Sequence, residues 1–155
     1  MSRSTALFLL LFLTSPSIWP ASTVGPVASI DLSQHEWGAG HAFSLAGDWS
    51  FAWQQLPEPQ HAFTNTKWRS IPVPGAWNSQ REQKDSYPSM GYATYALRII
   101  VPVNLPSVYL HLPDMASAYK LWVNGEQLAG NGVVGQTRLK ETPAYLPKVI
   151  QAQAI

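Results

Sequence analysis

The chain has 155 residues, a formal net charge of +1 and only 12% charged residues. That length supports one domain, the 46% apolar content suffices for a core, and so weak a charge gives no field for phosphate backbones, which argues against nucleic acid as a partner. There is no cysteine, so disulfides, thiolate metal centres and thiol catalysis are excluded together.

At the N-terminus, Arg3 precedes an unbroken apolar run, Ala6 to Leu13, and Pro16, Pro20 and small residues follow. This is the layout of a secretory signal peptide, and the run is shorter than the roughly 20 residues that a spanning helix needs. Residues 1–28 are therefore expected to be a leader cut between Ala21 and Ala28, with an exported domain over residues 29–155. The alternative for the run is a buried core helix.

Beyond the leader, ten of the chain's thirteen prolines and nine of its ten glycines interrupt any long helical window. From Leu45 to Trp53, Leu45, Gly47, Trp49, Phe51 and Trp53 alternate with Ala46, Asp48, Ser50 and Ala52, which is the period of a strand. Trp77 and Asn78 follow Pro72-Val-Pro74 and read as a loop. Ala93, Tyr95, Leu97, Ile99 and Val101 then share one face against Thr94, Ala96 and Arg98, and Pro102 ends that strand. Val108, Leu110 and Leu112 form a third stripe, with Tyr109 and His111 on its reverse. Tyr119, Leu121 and Val123 form a fourth, backed by Lys120 and Trp122. The pair Asn124-Gly125 closes it as a type I′ hairpin, because both central positions of that turn require positive φ. The return strand is Glu126 to Ala129, and Asn131-Gly132 and Gly135 mark further corners. Short strands with turn signals and no helical pattern between them predict an all-β antiparallel sandwich or jelly roll.

Reactive chemistry is sparse. His35, His41, His61 and His111 are scattered without metal-ligand spacing and read as surface or loop histidines. Neither a phosphate-cradling loop nor a nucleophile elbow is present. Asp31, Glu36, Asp48, Glu82, Asp85, Asp114 and Glu141 contain no recognisable acid/base pair. No catalytic residue, cofactor or metal set is predicted; loop oxygens around Asp114 would suit a structural Ca²⁺, which the spacing does not decide.

Three ordered blocks carry a resemblance. Leu45-Ala-Gly-Asp-Trp-Ser-Phe51, Trp68 to Asn78 with its Val-Pro-Gly-Ala-Trp core, and Val108 through Val-Asn-Gly125 resemble the N-terminal sugar-binding jelly roll of the β-galactosidase/β-glucuronidase group. Gly91-Tyr-Ala-Thr-Tyr95, Pro113 to Tyr119, Asn131-Gly-Val-Val-Gly135 and Pro143-Ala-Tyr-Leu-Pro147 more closely resemble the extracytoplasmic domain of bacterial seven-transmembrane receptors with diverse intracellular signalling modules. The resemblance covers Leu45 to about Pro147.

It implies a galactose-binding-like sensor domain on the periplasmic or extracytoplasmic face. Such a domain binds a small-molecule ligand, expected to be a carbohydrate, and meets the membrane only through downstream helices. The family's sandwich continues for several more strands, so the jelly roll is expected to be incomplete at its C-terminus, with open edges that could pair as a dimer. Output domains of the receptor type, a kinase, cyclase or phosphatase, would lie beyond Ile155. Two other readings stay open: a non-catalytic sugar-binding module of an exported glycosidase, and a structural protein-interaction sandwich.

Sugar sites combine an aromatic platform with amide and hydroxyl partners. Trp77 and Asn78, on the loop after Pro74, Tyr92 at the Gly91 corner and Asn131 in the turn-rich segment are the candidate ligand contacts. Trp77 serves either as a stacking platform or as a plug over the end of the sandwich. Trp122 is either a binding surface or packs on a neighbouring domain.

Overall fold

A computed structural model describes residues 5–14, 27–38, 40–62, 66–79, 87–105 and 107–154. Arg3, Pro16, Pro20 and Ala21 of the leader layout, together with Glu82 and Asp85, lie outside the described residues. The described residues form nine strands: β1 (Thr5–Thr14), β2 (Ser29–Asp31), β3 (Gly47–Trp53), β4 (Arg69–Val73), β5 (Gly91–Ile100), β6 (Val108–Leu112), β7 (Ala118–Val123), β8 (Glu126–Asn131) and β9 (Lys148–Ala152). No helix among these residues is long and apolar enough to cross a membrane.

Seven strands make one sheet in the order β4-β3-β5-β1-β7-β8, with β2 pairing the end of β5; β6 and β9 pair as a second, two-stranded layer. The architecture is an all-β sandwich. The strands read from alternation are present, and Asn124 and Gly125 have φ of 53° and 86°, as the I′ hairpin between β7 and β8 requires. Gly132, at φ 67°, turns the chain into a loop closed by a Val133–Thr142 bridge.

Three features depart from the expected pattern. The sheet is mixed, because β1 runs parallel to both β5 and β7, and β2 runs parallel to β5. The apolar run expected to be the heart of a leader is β1, a central strand and not a helix, with Leu11 and Leu13 in the core at 2% and 1% exposure. Residues Arg69–Val73, where no strand was read, pair with β3 as the edge strand β4, where the missing N–H of Pro72 is tolerated.

The core fills the space between the two layers. From the large sheet it takes Trp49, Phe51, Ile71, Tyr95, Leu97, Ile99, Tyr119, Leu121 and Val123, and from the small one Val108, Leu110 and Leu112. Hydrogen bonds tie the layers at one edge: Asn124 Nδ2 donates to the Gln153 carbonyl (2.9 Å) and Lys148 Nζ to the Gly130 carbonyl. The reverse face of the large sheet is covered as well. Ala62 and Ala96 are fully buried there, with Val27, Trp68 and Trp122 packed around them. Trp122 is thus half-buried against its own chain, with the Lys120 ammonium 6.0 Å from its ring centroid. Ser50 faces the same side and accepts the Ala28 N–H through its hydroxyl (2.8 Å).

Two buried phenols set testable energetics. The Tyr119 hydroxyl is buried and finds no hydrogen-bond partner among the described residues. An unsatisfied buried hydroxyl costs about 1–3 kcal/mol, so Tyr119→Phe is expected to leave the urea midpoint unchanged or raise it, by up to about 1 kcal/mol. Burial pushes the Tyr95 phenol well above the ordinary value of 10.0, and the Tyr87 phenol adds to the shift. The folded chain therefore holds that proton when the unfolded chain has lost it. Stability is unaffected below about pH 10 and falls above it, by up to about 1.4 kcal/mol per pH unit for each such group. Urea titrations above that pH should show this fall, shallower in Tyr95→Phe.

Candidate functional site: a polar depression beside the end of β3

After β3 the chain turns sharply. Gln54 takes φ 53° and donates its N–H to the Tyr92 carbonyl (2.9 Å), and the Thr94 hydroxyl donates to the Gln55 carbonyl (2.7 Å). The loop is thereby anchored to β5 before it leaves the sheet. Two prolines and a short 3-10 turn, Pro59–His61, follow. Pro59 suits the first position of such a turn, since its φ is fixed in the required range and it has no N–H to leave unsatisfied. The turn ends on Ala62, whose small side chain lies with Ala96 in the reverse-face cluster, so the loop sits close on the sheet.

This path leaves an open depression of about 470 Å³ lined by Gln55, Leu56, Pro57, Glu58, His61 and Thr66. Gln55, Leu56 and Pro57 are half-buried, Thr66 is 2% exposed, and Glu58 and His61 stand in solvent. An amide, a carboxylate, an imidazole and a hydroxyl here surround a small apolar floor. Together they supply both hydrogen-bond donors and acceptors on an open surface. A second hollow, of about 170 Å³, lies between Ser29, Ile30, Leu45, Asp48 and Leu97 at the other end of β3. Among the described residues no three His, Asp or Glu side chains gather as a metal set. The Asp114 carboxylate accepts the Ala116 N–H (2.8 Å) in a local turn.

The four residues expected to touch ligand do not converge. Trp77 is 5% exposed, donates its indole N–H to the Pro88 carbonyl (2.8 Å), and packs edge-on against Trp53 with centroids 5.1 Å apart. It belongs to an aromatic cluster with Phe51, Tyr87 and Tyr95, where Phe51 lies 5.1 Å from Tyr87 and 5.0 Å from Tyr95. Here Trp77 plugs the sandwich and offers no ring face for stacking. Asn78 follows it on an exposed 3-10 turn. Tyr92 is half-buried and alternates with Ala93 onto the reverse face. Asn131 ends β8, opposite Tyr119, three strand positions from β5 and so about 14 Å away.

Sequence reasoning placed His61 in a loop but missed the depression. Its signal is the stretch Leu56-Pro-Glu-Pro-Gln-His61, strong loop punctuation directly after a strand, where binding residues concentrate. Comparison with family models, with curated proteins and with solved structures finds no match for this chain.

Removing the Trp77 plug should cost about 3–5 kcal/mol, as for other buried aromatic truncations, while Asn78→Ala should stay within about 0.5 kcal/mol. Urea unfolding of Trp77→Ala and Asn78→Ala measures both. A Trp77→Ala protein as stable as the parent would show that the plug carries no packing energy.

Proposed function

We propose that this chain is an exported carbohydrate-binding domain of jelly-roll type, the extracytoplasmic sensory part of a membrane-bound signalling receptor. The observation that carries the binding assignment is the polar depression of Gln55, Glu58, His61 and Thr66 around Leu56 and Pro57. Sugars present hydroxyls that both donate and accept around weakly apolar faces, and this set complements them: Glu58 accepts, Gln55 and Thr66 do both, and His61 donates from one ring nitrogen and accepts on the other when neutral. The all-β sandwich and the ordered sequence blocks from Leu45 to Pro147 support the sensory assignment.

The mechanism is recognition without chemistry. A hydrogen bond to a neutral group contributes about 1 kcal/mol net, so four such groups give about 4 kcal/mol, which corresponds to a dissociation constant of about 1 mM. A site of this strength follows ligand concentration reversibly, as a sensor requires.

Calorimetric titration with a panel of mono- and oligosaccharides tests the reading. At least one sugar is expected to give saturable heat, reduced at least about five-fold in His61→Ala and in Glu58→Gln, since each variant loses one hydrogen bond. A folded protein silent across the panel would overturn the proposal, as would binding untouched by both substitutions.

A further inference from the structure

The large sheet splits beside β5. On the edge of β5 away from β1, β3 pairs from Trp53–Ala93 to Ser50–Ala96, and from Ser29–Arg98 onward β2 takes over that edge in the parallel sense. β3 nevertheless continues as a strand to Gly47, held on its other side by β4. The second hollow lies at this split, lined by Ser29 and Ile30 of β2, by Leu45 to Trp49 along the entry to β3, and by Leu97 of β5. Its walls are largely apolar. Leu97 is buried, and Ile30 and Leu45 are half-buried. The Trp49 indole N–H donates to the Leu45 carbonyl (2.7 Å) and the Ser44 hydroxyl accepts the Ala46 N–H (3.2 Å), so the entry to β3 is pinned from both sides. Gly47, at φ 141°, makes the bend that follows, a conformation that side chains disfavour.

The pairing pattern fixes what Asp48 offers there. In a strand the N–H and C=O of one residue point to the same edge, and those of its neighbour to the opposite edge. The Gln54 N–H donates to the Tyr92 carbonyl (2.9 Å), and counting back by twos assigns Ala52, Ser50 and Asp48 to the β5 edge. The other edge agrees, since Asp48 stands opposite Pro72 of β4, which has no N–H to give. The ladder with β5 ends at Ser50. Continuing its register would set Asp48 against Arg98, whose N–H donates instead to the carbonyl of Ala28, just before β2 (2.9 Å). Asp48 therefore turns one main-chain donor and one acceptor, side by side, toward the split and outside both ladders.

We infer that the split is a second ligand site, for a small ring that carries a donor and an acceptor pointing the same way, as a primary carboxamide or a lactam does. Such a cis pair meets the N–H and C=O of one extended residue with two parallel hydrogen bonds, and the carbon edge of the ring rests on Ile30, Leu45 and Leu97. A trans secondary amide cannot make both bonds, because its N–H and C=O point in opposite directions. A simple ion meets only one of the two groups. The split shares no lining residue with the depression, so this assignment does not depend on the sugar reading.

Nuclear magnetic resonance of the isotope-labelled full chain reads the Asp48 amide directly. The probes are nicotinamide, a primary carboxamide, and uracil, a lactam. Each is run beside its N-methylated form, in which a methyl group stands where the cis N–H was. At least one parent probe is expected to shift the Asp48 amide saturably, and which of them does so tells carboxamide from lactam. Its methylated form should bind at least about ten-fold more weakly, since the Asp48 carbonyl is then left without a donor. Ala46→Phe, which fills the hollow from an exposed position, should abolish the shift, whereas His61→Ala should leave it unchanged. A folded chain whose Asp48 amide responds to neither probe overturns the inference, as does a methylated form that binds as well as its parent, or a shift that survives Ala46→Phe. If Ala46→Phe fails to fold, the comparison of parent and methylated probes on the unsubstituted chain decides alone. Loss of sugar binding in the same samples bears only on the depression.

Discussion

Everything in this molecule is arranged around the hydrogen-bonding needs of β5. It is paired on both edges and covered on both faces. One edge is matched along its whole length by β1, the other first by β3 and then by β2, and its side chains enter the main core on one side and the reverse-face cluster on the other. A buried strand cannot leave its N–H and C=O groups without partners, since each costs as much as a lost hydrogen bond. The neighbours are therefore obligatory, and the placement of the loop after β3, and with it the polar depression, follows from the same requirement.

The sequence is legible where only one face of a strand is apolar. In β6, Val108, Leu110 and Leu112 are buried while Tyr109 and His111 are exposed, and alternation alone locates it. The hairpin at Asn124 is equally legible, because its turn chemistry has few alternatives. β1 is not, for a physical reason: its run from Ala6 to Leu13 is apolar throughout and so shows no alternation, and an unbroken apolar run of that length is also what a leader requires. β4 was hidden by Pro72, which reads as a breaker in any strand except one at an edge. Parallel pairing is a long-range matter on which local pattern is silent.

The candidate site illustrates the same division. Its residue types announce nothing, since glutamine, glutamate, histidine and threonine in a proline-rich loop are ordinary surface chemistry. What brings them together is two alanines. Ala62 and Ala96, both with no exposed surface, let the 3-10 turn lie close on the back of β5, and the polar side chains rise around that contact. Trp77 shows the converse. An indole on a loop reads equally as a platform or a plug, and here the loop folds inward over Phe51 and Trp53, and the Pro88 carbonyl takes its N–H.

The position of β1 also has a consequence in time. Leu13 and Asn124, which are hydrogen-bonded in the folded chain, are 111 residues apart. At about 5–20 residues per second, a ribosome needs several seconds to carry the chain from the first strand to its last partner. Until β5 follows at Gly91, the apolar N-terminus has no strand of the sheet to pair with. It stays accessible to any machinery that recognises such segments, while contacts this distant in sequence also make closure of the sheet a slow step. The order of synthesis thus keeps β1 waiting first for β5 and then for β7, and the sheet closes around its earliest strand only when both have followed.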